Sequence, residues 1–193
     1  MCSSDLLAQA IHAVRREFVA KLVPAFQASY SFITGNKEET GMEYISSLHE
    51  TGMADLLRTS RVRDLAAQFT TGGVHKDDLD FTIQGQAVKR FASQGQQKSF
   101  VVALKLAQFD LMRERLQTKP LLLLDDIFDK LDDFRVSRLM ELVSDDHFGQ
   151  LFISDTHPER IREIFRRIGR SIRLFHVDGD GVECLDGKEA EHA

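Results

Sequence analysis

Residues 120–132, PLLLLDDIFDKLD, place four consecutive leucines directly before two aspartates. A short apolar run without a polar residue is typical of a strand inside a parallel sheet that is covered on both faces. Ligands of open α/β sheets bind outside the carboxyl ends of the strands, which is where Asp125 and Asp126 would lie. The segment therefore predicts a central strand with two carboxylates at its ligand-binding end.

These two aspartates have the chemistry that nucleotide hydrolysis requires. Asp125 could hold Mg²⁺ directly or through water, because this ion prefers oxygen ligands and keeps much of its hydration shell. Asp126 could polarise a water for attack on phosphorus. Strand and carboxylates together correspond to a Walker B element. A plainer alternative stays open, in which both acids only end the strand and begin a turn.

Around this strand, helices and short apolar strands alternate, which predicts an α/β fold with a mostly parallel sheet flanked by helices. A tight hairpin around Gly179 and Gly181 is expected to close the chain. The predicted helices cover about residues 94–116, 132–144 and 157–168, and the predicted strands cover 121–124, 150–154 and 172–176.

The N-terminal part has a different pattern. A helix is predicted over residues 5–26, with Pro24 disturbing its last turn. A turn at 35–37, a strand at 42–45 and a helix at 50–69 are predicted to follow. The apolar stripe of the first helix recurs at steps of three and four residues. It consists of Leu7, Ile11, Val14, Phe18 and Leu22.

At TTGG, residues 70–73, the sequence pattern changes from helical spacing to alternation, and a domain boundary is predicted near residue 71. Beyond it, the alternating residues 79–83 predict a strand, 84–86 a tight turn and 87–91 the return strand.

Composition limits the classes of protein. A chain of 193 residues with 42% apolar residues is sufficient for about one domain. Its net charge of −5 excludes binding to nucleic acid by bulk charge alone, so any DNA contact needs a local basic patch. The sequence has neither a membrane-length apolar run nor a signal-peptide pattern, which favours a cytoplasmic protein without membrane contact. Cys2 and Cys184 are expected to be reduced thiols.

A second motif precedes the predicted helix at 94–116. Ser93 followed by Gln96 fits a capping box, which accounts for both residues without a ligand. Gly95, the serine hydroxyl and the free N–H groups of a helix start could also form an anion site. Both interpretations stay open on the sequence alone.

The residue sequences of these motifs resemble those of the RecF family of ABC-type ATPases. The resemblance rests on SQGQQKS at 93–99, LLLLDDIF at 121–128 and LDD at 131–133. The segment GVHKDDL at 73–79 is similar to the family's GPHRDDL, with Val74 in place of proline and Lys76 in place of arginine. The likeness extends over nearly the whole chain.

This resemblance implies a fold and a set of roles. Residues 71–193 would form the C-terminal part of an ABC-type ATPase head, and residues 1–70 the return part of its helical second lobe or arm. Asp125 would be the metal residue and Asp126 the catalytic carboxylate. The signature residues, which contact the nucleotide of a second subunit, would be Ser93, Gly95 and Gln96, and the D-loop would contain Asp129, Leu131 and Asp132.

The resemblance also implies a function. An intact member of the family would bind ATP with Mg²⁺, dimerise around it, bind DNA at single-strand gaps and hydrolyse ATP slowly. With RecO and RecR it would promote the loading of RecA onto gapped DNA. The chain has no Gly-x-x-x-x-Gly-Lys-Ser/Thr sequence, the P-loop that cradles phosphates. We therefore expect no ATPase activity from this chain alone, and an apolar sheet edge and face that promote self-association.

Two further features have both a functional and a structural interpretation. His157 lies near the switch histidine position of ABC heads, but Thr156 and Glu159 also predict a capping box there. Six arginines between residues 160 and 173 predict either a solvated helix face or a DNA-contacting patch, and a smaller group lies on the predicted helix at 50–69. The first group comprises Arg160, Arg162, Arg166, Arg167, Arg170 and Arg173, and the second comprises Arg58, Arg61 and Arg63.

Two other function classes compete with the incomplete ATPase. One is a non-catalytic DNA- or protein-binding module with an ATPase-derived fold, which would not need both Asp125 and Asp126. The other is half of a different ABC-type machine. A transporter subunit should carry a Leu-Ser-Gly-Gly-Gln signature and a glutamate at position 126, and this chain has neither.

Overall fold

The computed structural model describes residues 3–144, 148–179 and 181–185. Its contacts divide the chain into a first unit, Met1–Gln117, and a second unit, Thr118–Ala193. The helices are α1 Ser3–Thr34, α2 Met53–Ala67, α3 Val88–Phe91, α4 Gln94–Leu116, α5 Asp133–Val143 and α6 Pro158–Arg167. The strands are β1 Thr40–Ile45, β2 Asp78–Ile83, β3 Gln86–Ala87, β4 Leu122–Leu124, β5 Leu151–Ile153, β6 Phe175–Asp178 and β7 Gly181–Cys184.

The core of the first unit lies between α1, α4 and an antiparallel sheet of order β1-β2-β3. Phe100 is its centre, with ring centroids 4.5 Å from Phe26, 5.8 Å from Tyr30 and 5.3 Å from Phe81. Helix α4 buries one wide face, as its apolar pattern predicts, and its observed bounds agree with the predicted 94–116. This packing holds the start of α4, with its Ser-Gln-Gly-Gln motif, on a rigid element.

Helix α1 does not end near Pro24 as predicted, but continues to Thr34. Phe26, Tyr30 and Ile33, all beyond the proline, are completely buried. Burying each of these side chains stabilises the fold by about 1.5–3 kcal/mol. Their sum exceeds the roughly 3 kcal/mol that a proline costs inside a helix.

The predicted stripe of α1 is largely exposed rather than buried. Leu7 is 65% exposed, Val14 67% and Phe18 46%, whereas Leu22 is buried. Several apolar side chains of α2 are also exposed, among them Val62 and Leu65. Periodicity located both helices, but it could not specify which parts of the stripes would find a packing partner.

The predicted return strand at 87–91 is wrong. Only Gln86 and Ala87 pair with β2, and Val88–Phe91 forms the short helix α3. The two apolar ends of this segment, Val88 and Phe91, are three residues apart, which is helical spacing rather than strand alternation. The predicted turn before it is present, with Gln84 and Gly85 in the left-handed region (φ 50° and 73°).

The second unit contains the leucine strand. Strand β4 pairs in parallel with β5, Leu122 opposite Leu151 and Leu124 opposite Ile153, while α5 and α6 contribute buried apolar faces. The prediction that the sheet is covered on both faces is wrong for the described residues. Leu123 is 71% exposed and its register partner Phe152 48%, so no described element packs over this face of the β4–β5 pair. The exposed apolar sheet face expected from the sequence is therefore present.

The last predicted strand, 172–176, is displaced along the chain. Residues Phe175–Asp178 form β6, which pairs antiparallel with β7 in a hairpin instead of extending the parallel pair. The turn glycine Gly181 (φ 157°) allows the chain to reverse here, as predicted for the hairpin.

Contacts continue across the boundary predicted near residue 71. Strand β1 pairs along its whole length with β2, and Arg15 of α1 donates to the Val74 carbonyl (2.5 Å). The observed division at residues 117 and 118 therefore lies elsewhere. The assignment of residues 1–70 to an arm and 71–193 to a head stays a prediction.

Asp77, within the GVHKDDL segment, joins three elements of the first unit. Its side chain is 3% exposed and accepts hydrogen bonds from Arg15 Nη1 (2.7 Å) and the Tyr44 hydroxyl (2.5 Å). Burial acts to raise the pKa of Asp77, but hydrogen bonds from Tyr44, Ser46 and Arg15 outweigh it and hold the pKa below its ordinary value. The carboxylate is thus stabilised in its charged form.

We predict that Asp77→Asn lowers the free energy of unfolding by about 1–3 kcal/mol at pH 7, because it weakens bonds to a buried charge. A lowered pKa in the folded state stabilises the protein above the unfolded pKa, near 3.8, and this contribution disappears as pH falls through the folded value. The difference between wild type and Asp77→Asn in urea unfolding should therefore shrink below pH 4. Asp80→Asn on the exposed face of β2 is the matched control; equal losses in both variants would contradict the role of Asp77.

Candidate functional site

The parallel pairing of β4 and β5 brings two carboxyl ends together. The backbone N–H of Ser154 donates to the Leu124 carbonyl (3.0 Å), which extends the ladder one residue beyond β5. Asp125 and Asp126 follow β4, and Ser154 and Asp155 follow β5. The end of this two-stranded sheet therefore presents three carboxylates and a hydroxyl.

Ser154 contacts both predicted site aspartates. Its hydroxyl donates to Asp125 Oδ1 and accepts from the backbone N–H of Asp126 (3.4 Å). Asp126 has a left-handed backbone (φ 47°), a conformation that aspartate tolerates better than most residues. Both aspartates are exposed, so a ligand can reach them from solvent.

The donor set at this sheet end is compatible with Mg²⁺. The bond from Ser154 uses Oδ1 of Asp125, so Oδ2 can face an ion. Within the described residues, no three His, Cys, Asp or Glu side chains form a metal cage. Mg²⁺ is commonly held by one or two carboxylates together with substrate phosphates and water, which is what Asp125 and its neighbour can offer.

The loop after the aspartates is anchored by apolar side chains. Ile127, Phe128 and Leu131 are buried, whereas Asp129 is exposed and lies 3.8 Å from the Lys130 ammonium. Asp132 caps α5, its Oδ1 accepting from the N–H of Arg135 (2.8 Å), as expected of an acid at that position. The predicted D-loop thus has a fixed backbone, and its role at a dimer interface stays a prediction.

In the first unit, the predicted capping box at the start of α4 is confirmed. Ser93 Oγ accepts from the Gln96 N–H (3.2 Å), and Gln96 Oε1 accepts from the Ser93 N–H (2.9 Å). Buried Ser99 donates to the carbonyl of Gly95 (2.8 Å), which further fixes the first turn. Ser93, Gly95 and Gln96 thus lie on one rigid helix start. The bond at Gln96 uses the amide oxygen, so its side-chain nitrogen can donate to a bound group.

The capping box predicted at Thr156 is wrong. Helix α6 begins at Pro158 with His157 as its N-cap, and the Thr156 hydroxyl lies 3.0 Å from His157 Nδ1. Proline is well suited to the first helical position because it has no N–H to leave unpaired, so the helix starts one residue later. The His157 side chain is 76% exposed and its backbone N–H donates to Asp155 Oδ1 (2.5 Å). A switch role for His157 stays a prediction.

The arginines of α6 are not equivalent. Arg160 lies over the Phe128 ring (5.4 Å) and near Asp133 (3.6 Å). Arg162 and Arg167 form ion pairs with acids of their own helix, Glu159 (2.9 Å) and Glu163 (3.0 Å). Arg166 is exposed, and so is Arg170, which lies three residues beyond the end of α6. The opposite face of this helix is apolar, with Ile161, Ile164 and Phe165 all buried.

Of the second arginine group, Arg58 pairs with Asp55 (2.9 Å) and Arg63 donates to the Thr71 hydroxyl (2.8 Å). These contacts are local to α2 and the segment that follows it. They provide a structural role for two of the three arginines, so this patch is the weaker candidate for DNA.

Sequence reasoning missed Ser154 and Asp155 as site residues. Asp155, with a side chain only 10% exposed, holds the backbone of the segment that leads into α6. The sequence does contain a signal for these two residues, because both follow an apolar strand, just as Asp125 and Asp126 do. They lie at the site only because β5 pairs with β4, and that pairing cannot be read from the sequence.

No helix in the described part of the chain combines the length and the apolar character that crossing a bilayer requires. No protein-family model matches the chain.

Individual proteins and structures do match. The DNA replication and repair protein RecF of Flavobacterium johnsoniae is 44% identical over 169 residues, covering 88% of this chain and 47% of its own length. RecF of Bacteroides fragilis is 41% identical over 188 residues, covering 96% of this chain and 51% of its own length. RecF of Phocaeicola vulgatus is 45% identical over 171 residues.

The fold agrees with these relatives. A structure of the recombination mediator RecF with ATP, from the RecFOR pathway, has a TM-score of 0.66 at 23% identity and covers 94% of this chain and 48% of its own. An SMC ATPase structure, from work on ATP-driven dimerization and DNA-stimulated activation, has a TM-score of 0.52 at 13% identity. The match covers 91% of this chain and 88% of the SMC chain. The predicted fold class, part of an ABC-type ATPase head, is confirmed. The chain is a homologue of RecF along nearly its whole length, and it spans about half the length of the RecF proteins that it matches.

Proposed function

We propose that this chain supplies the signature and Walker B half of a RecF-type ATPase that acts in DNA replication and repair. The observation that carries the proposal is the Asp125–Asp126 pair at the end of β4, held by Ser154 from the neighbouring strand. The homology to RecF, and the likeness to a RecF structure with ATP, indicate which nucleotide this centre would serve.

The residues of the second unit would divide the chemistry. Bound Mg²⁺ would neutralise phosphate charge as the reaction proceeds. Asp125 would hold the ion through Oδ2, and Asp126 would orient the attacking water and accept its proton. Asp129, Leu131 and Asp132 would form the D-loop, and His157 is the candidate switch residue.

The residues at the start of α4 would act on nucleotide held by a second subunit. Ser93 can donate its hydroxyl proton while its lone pair accepts from Gln96, and the amide nitrogen of Gln96 can donate as well. Gly95 would allow close approach of backbone to phosphate. The capping box positions these donors before any ligand arrives.

The 193 residues contain no P-loop, so the cradle for the α- and β-phosphates must come from elsewhere. We therefore propose that this chain hydrolyses ATP only together with a P-loop-bearing half. The whole assembly would dimerise with ATP, bind DNA at single-strand gaps and work with RecO and RecR to load RecA. The deciding experiment mixes the chain with the separately expressed P-loop half of a RecF relative and measures ATP hydrolysis with gapped DNA.

DNA contact is assigned to Arg166, in the last turn of α6, and to Arg170, three residues beyond its end, both exposed. We predict that Arg166→Gln with Arg170→Gln weakens binding to gapped DNA and reduces the slope of log K against log salt by about 1.4 to 1.8, the value for two lost phosphate contacts. Arg162→Gln with Arg167→Gln removes the same charge but affects arginines already paired with Glu159 and Glu163, so a smaller change is expected. Fluorescence anisotropy over a salt series measures both. Equal effects of the two double variants, or binding insensitive to salt, would contradict the assignment.

A second candidate function is a binding module without chemistry. The absence of a P-loop from the sequence favours it. It differs from the main proposal in one measurable respect: a module would bind DNA or a partner without any ATP turnover in the mixture.

A further inference from the structure

The Ser154 hydroxyl makes two hydrogen bonds with opposite directions. It donates its single proton to Asp125 Oδ1 and accepts from the backbone N–H of Asp126. Ser154 and the aspartates are separated by 28 and 29 residues in sequence and meet only because β4 and β5 are parallel neighbours. The contact is thus a product of the fold and not of local chain geometry.

These two bonds restrict different freedoms. An exposed aspartate side chain has several staggered rotamers, and the bond to Oδ1 favours one of them for Asp125. The backbone of Asp126 lies in the left-handed region (φ 47°), which costs free energy for a residue with a Cβ. A bond to the N–H of Asp126 helps to offset that cost.

The backbone of Ser154 is itself held by the sheet. Its N–H donates to the Leu124 carbonyl (3.0 Å), the residue directly before Asp125. The hydroxyl is therefore attached to the same ladder as the carboxylates that it contacts. A water at this place would lack that attachment and could exchange with solvent.

We propose that Ser154 is a positioning residue of the ATPase centre, whose hydroxyl sets the side chain of Asp125 and the backbone of Asp126 in the geometry that metal binding and water activation need. The proposal rests on the proposed function of these two aspartates. Ser154 does not touch the reacting atoms. Residues that orient metal ligands in this way typically change metal affinity or activity by about 10- to 100-fold when replaced.

A pair of variants isolates the hydroxyl. Ser154→Val and Ser154→Thr have side chains of the same shape, and only the threonine keeps an O–H. The first readout uses the 193-residue chain alone: a strong NOE between HN and Hα of Asp126, together with its Cα and Cβ chemical shifts, reports its left-handed backbone by NMR. The second uses the mixture with the P-loop half and separates kcat from the KM for ATP.

We expect Ser154→Val to lose the left-handed signature of Asp126 and to lower kcat about tenfold or more, with little change in KM because the P-loop half holds the ATP phosphates. Ser154→Thr should recover both. A folded Ser154→Val chain that keeps the signature, or keeps wild-type kcat in an active mixture, would overturn the proposal.

The two proposals can fail separately. A wild-type mixture that forms a complex and binds ATP without turnover would refute the ATPase function, whereas the NMR comparison would still decide whether Ser154 positions Asp126. If Ser154→Val does not fold, Ser154→Ala replaces it in both readouts against the same threonine variant.

Discussion

Asp126→Asn should reduce ATP hydrolysis by the mixture of this chain and a P-loop half by about 10²- to 10⁴-fold, the usual contribution of a general base. Asparagine keeps the size of the side chain and the left-handed backbone, but it cannot accept a proton from water. ATP binding should persist, because the cradle for the α- and β-phosphates lies in the other half. Steady-state hydrolysis and equilibrium binding of ATP, measured on the same mixture, separate the two effects.

A matched control for this variant is Asp133→Asn. This substitution removes the same charge as Asp126→Asn, seven residues further along the chain. The Asp133 side chain is 91% exposed at the start of α5. ATP turnover by the Asp133→Asn mixture should stay within about twofold of wild type, as expected of an exposed substitution outside the site. Loss of turnover in Asp133→Asn equal to that in Asp126→Asn would show a general effect of charge and would refute the assignment of Asp126.

Phe100→Ala should lower the free energy of unfolding of the first unit by about 3–5 kcal/mol, the usual cost of truncating a buried phenylalanine. The ring is 3% exposed and contacts Phe26, Tyr30 and Phe81, so its removal opens a cavity among three large side chains. Much of the marginal stability of a domain would be lost. Urea unfolding followed by circular dichroism measures the change.

Phe91→Ala is the appropriate comparison, because its ring is 66% exposed and lies only nine residues away in sequence. The same truncation at Phe91 should change the free energy of unfolding by no more than about 0.5 kcal/mol. Similar losses at the two positions would mean that the aromatic cluster between α1 and α4 does not hold the unit together.

Local signals predicted the elements best. Helix α4 has its predicted bounds because a capping box starts it and a continuous helical pattern extends it. Asp132 likewise caps α5, as its residue type and its position directly before the helix favour. These features depend on residues within one or two turns of each other, so they are visible in the sequence.

Features that depend on distant partners were not predictable in this way. Pro24 lies inside α1 because Phe26 and Tyr30 are buried against other elements, which the window around the proline does not reveal. The exposure of Val14 and Leu123 has the same origin, since a periodic apolar residue is buried only where another element covers it.

The candidate site shows the same division. Asp125 and Asp126 were predictable because strand and carboxylates are contiguous in sequence. Ser154 required the register of β4 against β5, and that register is a long-range property of the sheet. The family resemblance supplied roles for the signature and D-loop residues, and those roles await experiment.

The central claim is that this chain is one half of an ATPase centre, and the most direct test is ATP hydrolysis by the chain alone, by a P-loop half alone and by their mixture, each with gapped DNA. The account predicts turnover only in the mixture, and its loss with Asp126→Asn. Turnover by the chain alone, or a complex that binds ATP and gapped DNA without any hydrolysis, would contradict it.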